Sequence, residues 1–301
     1  MKTLTVATFN CENLFTRFLF NKKLKQSTID NAVKNGFMLD KKLFERIKDK
    51  ERDLTAKAIK DTSADIIGLQ EVENLDTLKS FQSDFLHMYP YQYLIDGNDP
   101  RLIDVGVLSK IETKHLVTHQ FDKADSQRIF SRDCLELEFD LEGTSLTIFV
   151  NHFKSMLGGR DQTMPRRKAQ SERVLQIVKD KFGSNPGNEN FIILGDLNDY
   201  LPSSGLQPLI DSPWLENVVQ TRLPKGDQWT HWYDKDDSVA QLDYILLSER
   251  IAKGNPIAKP IIVRKGVAKN ANQYTGPRYA GVGAIRPAAS DHCPVAITVD
   301  I

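Results

Sequence analysis

CLELEFDLEGTSLTIFVNHFKS, residues 134–155, sets Leu135, Leu137, Phe139 and Leu141 against Glu136, Glu138, Asp140 and Glu142. A strict period of two puts one face of a strand on a core and the other toward water. Gly143 turns the chain, and Leu146, Ile148 and Val150 resume the alternation, so the stretch reads as a hairpin. It ends on Asn151 and His152, two polar groups delivered by an apolar strand.

Working outward, shorter apolar runs at 5–9, 66–69, 105–108, 191–194 and 245–247 fit buried strands. Helical spacing appears over 52–60, in Leu75, Leu78, Phe81 and Phe85, and over 165–182, where Pro165 suits a first turn. Strands alternating with helices, without an internal repeat or a Pro/Ser-rich linker, predict one α/β domain over 1–301 with mixed sheets and helices outside them. Two segments read as insertions, about 15–53 and about 255–290.

With 40% hydrophobic and 27% charged residues, the chain has enough apolar side chains for a sizeable core. No run approaches the apolar length of a membrane span. The first residues enter a strand directly, without a secretory leader, so a cytoplasmic address is the default; a secreted mature form would read the same. Cys11, Cys134 and Cys293 are odd in number and lack CxxC spacing, which points to reduced thiols rather than disulfides or structural zinc. Net charge is zero but unevenly spread. Residues 1–60 hold 14 Lys/Arg against 7 Asp/Glu, and 255–290 hold Lys259, Arg264, Lys265, Lys269, Arg278 and Arg286 with no acid. Such segregation reads either as a positive surface for an anion or as solvated loops.

The polar strand end recurs. ATFNCENLF presents Asn10, DIIGLQEVEN presents Glu71, FIILGDLNDY presents Asp196 and Asn198, and QLDYILLS presents Asp243 ahead of Asp291 and His292 in SDHCPV. One such end is ordinary turn chemistry. Together they supply the carboxylate and amide oxygens that hard divalent cations prefer, and histidines for moving protons. His87, His115, His119 and His231 fall in no such pattern and read as surface or packing residues, while Trp229 and Trp232 read as core or cleft wall.

TFNCENLF, LQEVEN, NHFKS, GDLND, LDYILLS and SDHCPV, in this order, resemble the endonuclease/exonuclease/phosphatase superfamily, which includes DNase I-like nucleases, sphingomyelinases and inositol-polyphosphate phosphatases. NHFKSMLGGRDQTMPRR, residues 151–167, further resembles a group of bacterial members. The resemblance implies a DNase I-like four-layer α/β/β/α sandwich, two packed mixed β-sheets flanked by helices. It implies Mg²⁺, with Mn²⁺ as the alternative, held by Glu71, Asn10 and Asp291. His292 becomes the base that activates water, oriented by Asp243. His152 becomes a second histidine on the leaving oxygen, and Asp196 and Asn198 contact the nucleophile and phosphate. Lys154, Arg101 and one of Arg166 and Arg167 are candidates for a further phosphate, with Asp99 and Asp104 nearby. The substrate is a phosphate ester. A nucleic acid gripped by the basic insertions, with Tyr274 and Tyr279 among their cations, is the first expectation. A small phosphorylated molecule or lipid headgroup is the alternative. A non-enzymatic binding protein is disfavoured, because no implied catalytic position is lost.

Overall fold

The computed structural model describes residues 2–20, 23–36, 44–46 and 49–301. The apolar runs form two six-stranded sheets. The first has the order Ile261–Ile262, Val295–Asp300, Thr3–Leu14, Ile66–Val72, Asp104–Ser109, Tyr91–Leu94. The second has the order Leu215–Asn217, Asp243–Ser248, Phe191–Asp196, Thr144–His152, Cys134–Leu141, Thr113–Thr118. Each is mixed: Thr3–Leu14 runs parallel to Ile66–Val72, and Thr144–His152 parallel to Phe191–Asp196, among antiparallel neighbours.

Between the sheets, Leu135, Leu137 and Phe139 of the hairpin meet Leu4, Val6, Val105 and Val107. The outer face of the first sheet carries Phe9, Ile67 and Leu69 under Leu54, Ile59, Leu78 and Phe81 of helices Asp49–Asp61 and Leu75–Phe85. The outer face of the second carries Phe149, Phe191 and Ile193 under Val174, Ile177 and Val178 of helix Arg160–Phe182. The architecture is therefore the expected helix–sheet–sheet–helix sandwich. Each large apolar side chain buried this way contributes about 1.5–3 kcal/mol. A one-residue slip of a central strand would exchange its two faces, so the layers fix the register.

The hairpin closes where expected, with Leu141 paired to Thr144 and Glu142 and Gly143 at φ 58° and 94°, the positive-φ pair of a two-residue turn. Two other glycines are required by contact. A methyl group on Gly68 would lie 2.6 Å from Leu194 Cδ1, in the gap between the sheets. One on Gly195, at φ 140°, would lie 2.0 Å from the Asn151 carbonyl oxygen.

Three expectations change. The helix read as 165–182 begins at Arg160, after Gly158 and Gly159 at φ 99° and 109°, and carries Pro165 inside it. The start carries no capping side chain, and the Thr163 hydroxyl and the Arg167 guanidinium bond the Gly159 and Arg160 carbonyls across the first turns. Segment 255–290 is not simply solvated: Val267, Ala268, Ala271 and Ala288 pack with Trp229, Trp232 and Cys293 in a small core of their own. In segment 15–53, strand Phe18–Phe20 pairs with Phe44–Arg46 around helix Gln26–Asn35, and residues 21–22, 37–43 and 47–48 lie outside the described residues. All three cysteines are free and buried. Among the described residues no helix is long and apolar enough to cross a membrane.

Candidate active site

Strand register assembles the site. In the second sheet His152 pairs with Asp196, and Asp196 pairs with Asp243, so three neighbouring strands end in one polar row. In the first sheet Asn10 pairs with Gln70, which brings the chain at Glu71 to the same end. The apolar residues behind each end position the polar ones by burying their strands.

Asp196 sits at the centre, 1% exposed. Its Oδ2 accepts hydrogen bonds from Asn10 Nδ2 at 2.9 Å and Asn198 Nδ2 at 3.0 Å, and its Oδ1 accepts from the Asn198 backbone N–H at 2.9 Å. The same Oδ2 lies 3.6 Å from His152 Nε2 and 3.9 Å from His292 Nε2. Behind His292, Asp243 Oδ2 is 2.8 Å from the ring Nδ1 and also accepts from the Thr230 hydroxyl at 2.7 Å. The Ser290 hydroxyl donates to the Asn10 carbonyl and accepts from the His292 N–H, tying the last loop to the first strand.

Glu71 is tied to the irregular end of strand Thr3–Leu14, its Oε2 accepting from the Asn13 N–H at 3.0 Å, and it stands outside the ligand clusters found among the described residues. It sits at φ 62° where the ladder with Asp104–Ser109 shifts register, and Asn198 has φ 54°. Positive φ is costly for such residues and is held by the surrounding bonds, as is common where side chains are aimed into a site. Asp291 follows as the residue before His292, its N–H on Glu12 Oε2 at 3.0 Å.

The charge environment separates the two histidines. Burial, then the charges of Arg132, His292 and Arg101, push His152 well below the ordinary histidine range, so it is a neutral imidazole. Burial also opposes charge on His292, but Asp243, Asp196 and Asp291 outweigh it and hold this ring well above that range. The three carboxylates therefore favour the protonated form of the ring expected as a base. Burial and the Asp243 charge push the Asp196 carboxyl up to about 6.

Two groups of side chains bring ligand atoms within 4.8 Å of one another: Asp196, Asp243 and His292, and His231, Asp291 and His292. The second includes a histidine that sequence alone assigns to packing. The His231 ring lies 4.6 Å from the His292 ring, its Nε2 lies 3.8 Å from Asp291 Oδ2, and its backbone bridges His292. No strand-end motif marks it; the only signal is its place in THW, immediately after Thr230. The buried Asp243 Oδ1 and Asn151 Oδ1 have no hydrogen-bond partner.

The cation candidates divide. Asp99 binds both Arg101, at 3.1 Å, and the buried Arg132, at 3.2 Å. Arg132 shares the Phe153 carbonyl with Asn198, so this group abuts the central row. Lys154 Nζ, half-buried, meets only the Ser155 hydroxyl among the described residues, at 3.5 Å. Arg166 donates to the Arg128 carbonyl. Arg167 contradicts the expectation of a phosphate contact. It is fully buried, its donors spent on Asp199, Thr163 and the carbonyls of Lys154 and Arg160. Most cations of segment 255–290 are likewise engaged: Arg264 and Arg278 with carbonyls, Lys265 with Asp61, Arg286 with Glu12. Tyr279 donates to the Lys57 carbonyl, and Arg278 lies over the Tyr274 ring. His119 bonds Glu136, and His115 lies on the strand Thr113–Thr118, paired with Glu138.

A sequence profile described as the Endonuclease/Exonuclease/phosphatase family matches residues 5–300. No curated protein matches the chain. Among solved structures, a truncated TDP2 from Caenorhabditis elegans is similar over 99% of this chain and 98% of its own, at 16% identity and a TM-score of 0.64. An endonuclease/exonuclease/phosphatase family protein from Bacteroides thetaiotaomicron is similar over 100% and 99%, at 15% identity and 0.64. A mannosyl-6-phosphatase from the same organism is similar over 99% and 100%, at 16% identity and 0.62. At these identities the likeness is one of fold.

Proposed function

Since the chain belongs to the endonuclease/exonuclease/phosphatase family, whose members hydrolyse phosphate esters, we propose that it is a divalent-cation-dependent phosphoesterase, with Mg²⁺ first and Mn²⁺ second. The observation that carries this is Asp196, held by Asn10 and Asn198 and faced by His152 and His292 with Asp243 behind.

The residues fit a hard cation. Glu71, Asn10 and Asp291 offer oxygens, which such ions prefer, and among the described residues the buried Asp243 Oδ1, on the carboxylate behind His292, has no hydrogen-bond partner. When bound there, the ion neutralises phosphate charge and polarises the phosphorus centre. The chain's own groups do the rest. Asp196, pushed up to about 6, is placed to align the attacking water and accept its proton. His292 enters as a proton donor, its ring fixed by Asp243; acting as a base requires it to shed that proton first. His152, kept neutral by burial and then by the charges of Arg132, His292 and Arg101, can still give one N–H to a phosphate oxygen as charge develops. Arg101 and Lys154 flank this histidine and supply positive charge for an additional anionic group, a role closed to the fully buried Arg167, which uses four of its five N–H donors within the protein.

A nuclease and an enzyme for a compact phosphate ester both use this centre. The second is favoured by one observation: most cations of segment 255–290 are bonded within the protein, leaving few to follow a polyanionic backbone. The test is hydrolysis of plasmid, single-stranded DNA, RNA, bis-p-nitrophenyl phosphate, sphingomyelin and inositol phosphates with Mg²⁺ or Mn²⁺. Wild type should cleave at least one in a chelator-sensitive way, and Asp196→Ala none. Equal activity in the variant would remove the assignment.

A further inference from the structure

Beside the central row lies a cavity of about 1210 Å³. Its position is fixed by the chain: Tyr200 lies two residues beyond Asn198, Gln241 two before Asp243, and Trp229 directly before Thr230, whose hydroxyl bonds Asp243. The Tyr244 hydroxyl donates to the Asp199 carbonyl at 2.8 Å, with the Gln241 carbonyl 3.4 Å away, so both sides of the mouth lie against the same strand.

The lining differs in kind from the cationic group at Lys154. Gln207, Gln220, Gln228, Gln241 and Gln273 contribute five amides. Lys225 and Asp211, of opposite sign, are the charged members of the lining. Each glutamine amide has two donors and an acceptor. Those of Gln207 and Gln220 make no hydrogen bond within the described residues, whereas Gln228 and Gln241 spend both Nε2 donors and Gln273 one on the protein, each keeping its amide oxygen. Nor is this an aromatic clamp for a flat base. Trp229 is 7% exposed with Arg264 over its ring at 4.3 Å, and Arg160 lies over Tyr200 at 3.8 Å. Neutral donors and acceptors without an aromatic sandwich suit vicinal hydroxyls. The volume exceeds the ~300–1,000 Å³ common for small-ligand pockets, which leaves room for more than one ring.

We propose that this cavity binds the neutral, hydroxyl-rich alcohol portion of the substrate, making the chain a hydrolase of sugar or glycan phosphate esters. The assignment rests on the phosphoesterase reading for the reaction, but the binding it predicts does not need turnover. The test is calorimetry on chelator-treated protein with neutral mono- and trisaccharides, and with adenosine and uridine, at low and high salt. Saccharides should bind saturably with little dependence on salt. The double variant Gln207→Leu with Gln220→Leu should weaken that binding by about tenfold, equivalent to about 1.4 kcal/mol. It should also raise KM for a glycosyl phosphate while leaving kcat on bis-p-nitrophenyl phosphate unchanged. Where the double variant fails to give a cooperative melt, Tyr200→Ala is measured in its place and should weaken the same binding. Binding of nucleosides in preference to saccharides, absence of saccharide binding to wild type, or variants that bind as wild type does would each overturn the proposal. Saccharide binding without hydrolysis of any phosphate ester would sink the phosphoesterase reading and leave the cavity assignment standing.

Discussion

Lys154, just past the His152 strand, and Gln207, in the cavity beyond Asn198, have contrasting surroundings. Beyond His152 the neighbours are Arg101, Arg132 and Lys154, with Asp99 shared between the two arginines. Beyond Asp243 and Asn198 they are amides, with one cation and one acid. Charge attracts at long range and is screened by salt; amides act only in contact and choose by geometry. The difference teaches that the site is not one uniform basic groove. On the proposed reading, the cationic part would supply affinity for anions and the amide-lined part selectivity for a neutral group.

The comparison is sharpened first at its centre, which both parts share. His292→Ala should lower kcat by about 10²–10⁴-fold on every phosphate ester the protein accepts, while saccharide affinity stays unchanged. Steady-state kinetics beside calorimetry check this, and a loss confined to one substrate class would break the idea of a common centre. Next, two cations three and sixteen residues past Asn151 should part company. Arg167→Met removes one partner of a buried ion pair with Asp199 and should cost about 3–5 kcal/mol of stability, read by urea unfolding. Lys154→Met should leave the unfolding midpoint unchanged and raise KM about tenfold, only for substrates with an extra anionic group. That KM effect should shrink as salt is added, and a salt-independent effect would place Lys154 outside the binding path.

The smallest effect concerns pH. Burial pushes the Asp104 carboxyl, near Asp96, Asp99 and Asp133, up to about 7. Its folded value lies above its unfolded value, so the unfolded chain gives up this proton first as pH rises. Stability from this group is therefore greatest below about 4 and falls as pH climbs toward 7. Asp104→Asn should flatten that part of the stability profile, as seen in urea midpoints across the range. An unchanged slope would show that other groups set it.

Much of this was legible in the sequence because strands speak in period two. The 134–152 alternation gave a hairpin with the observed turn. The polar strand ends, Asn10, His152, Asp196 and Asp243, could be named because each follows an apolar run that must be buried. What stayed hidden depends on distance in sequence. His231 meets His292 through a bridge spanning some sixty residues, which no local pattern encodes. Arg167 looked like a free cation because its partner Asp199 lies on another element. The proton state of His292 depends on three carboxylates brought together only by the fold.

The most direct test of the central claim is phosphate-ester hydrolysis by wild type and Asp196→Ala, each with Mg²⁺ and with excess chelator. The account predicts turnover in one of those four conditions, wild type with metal, and loss in the other three. Undiminished turnover by folded Asp196→Ala, or by wild type under chelator, would contradict it.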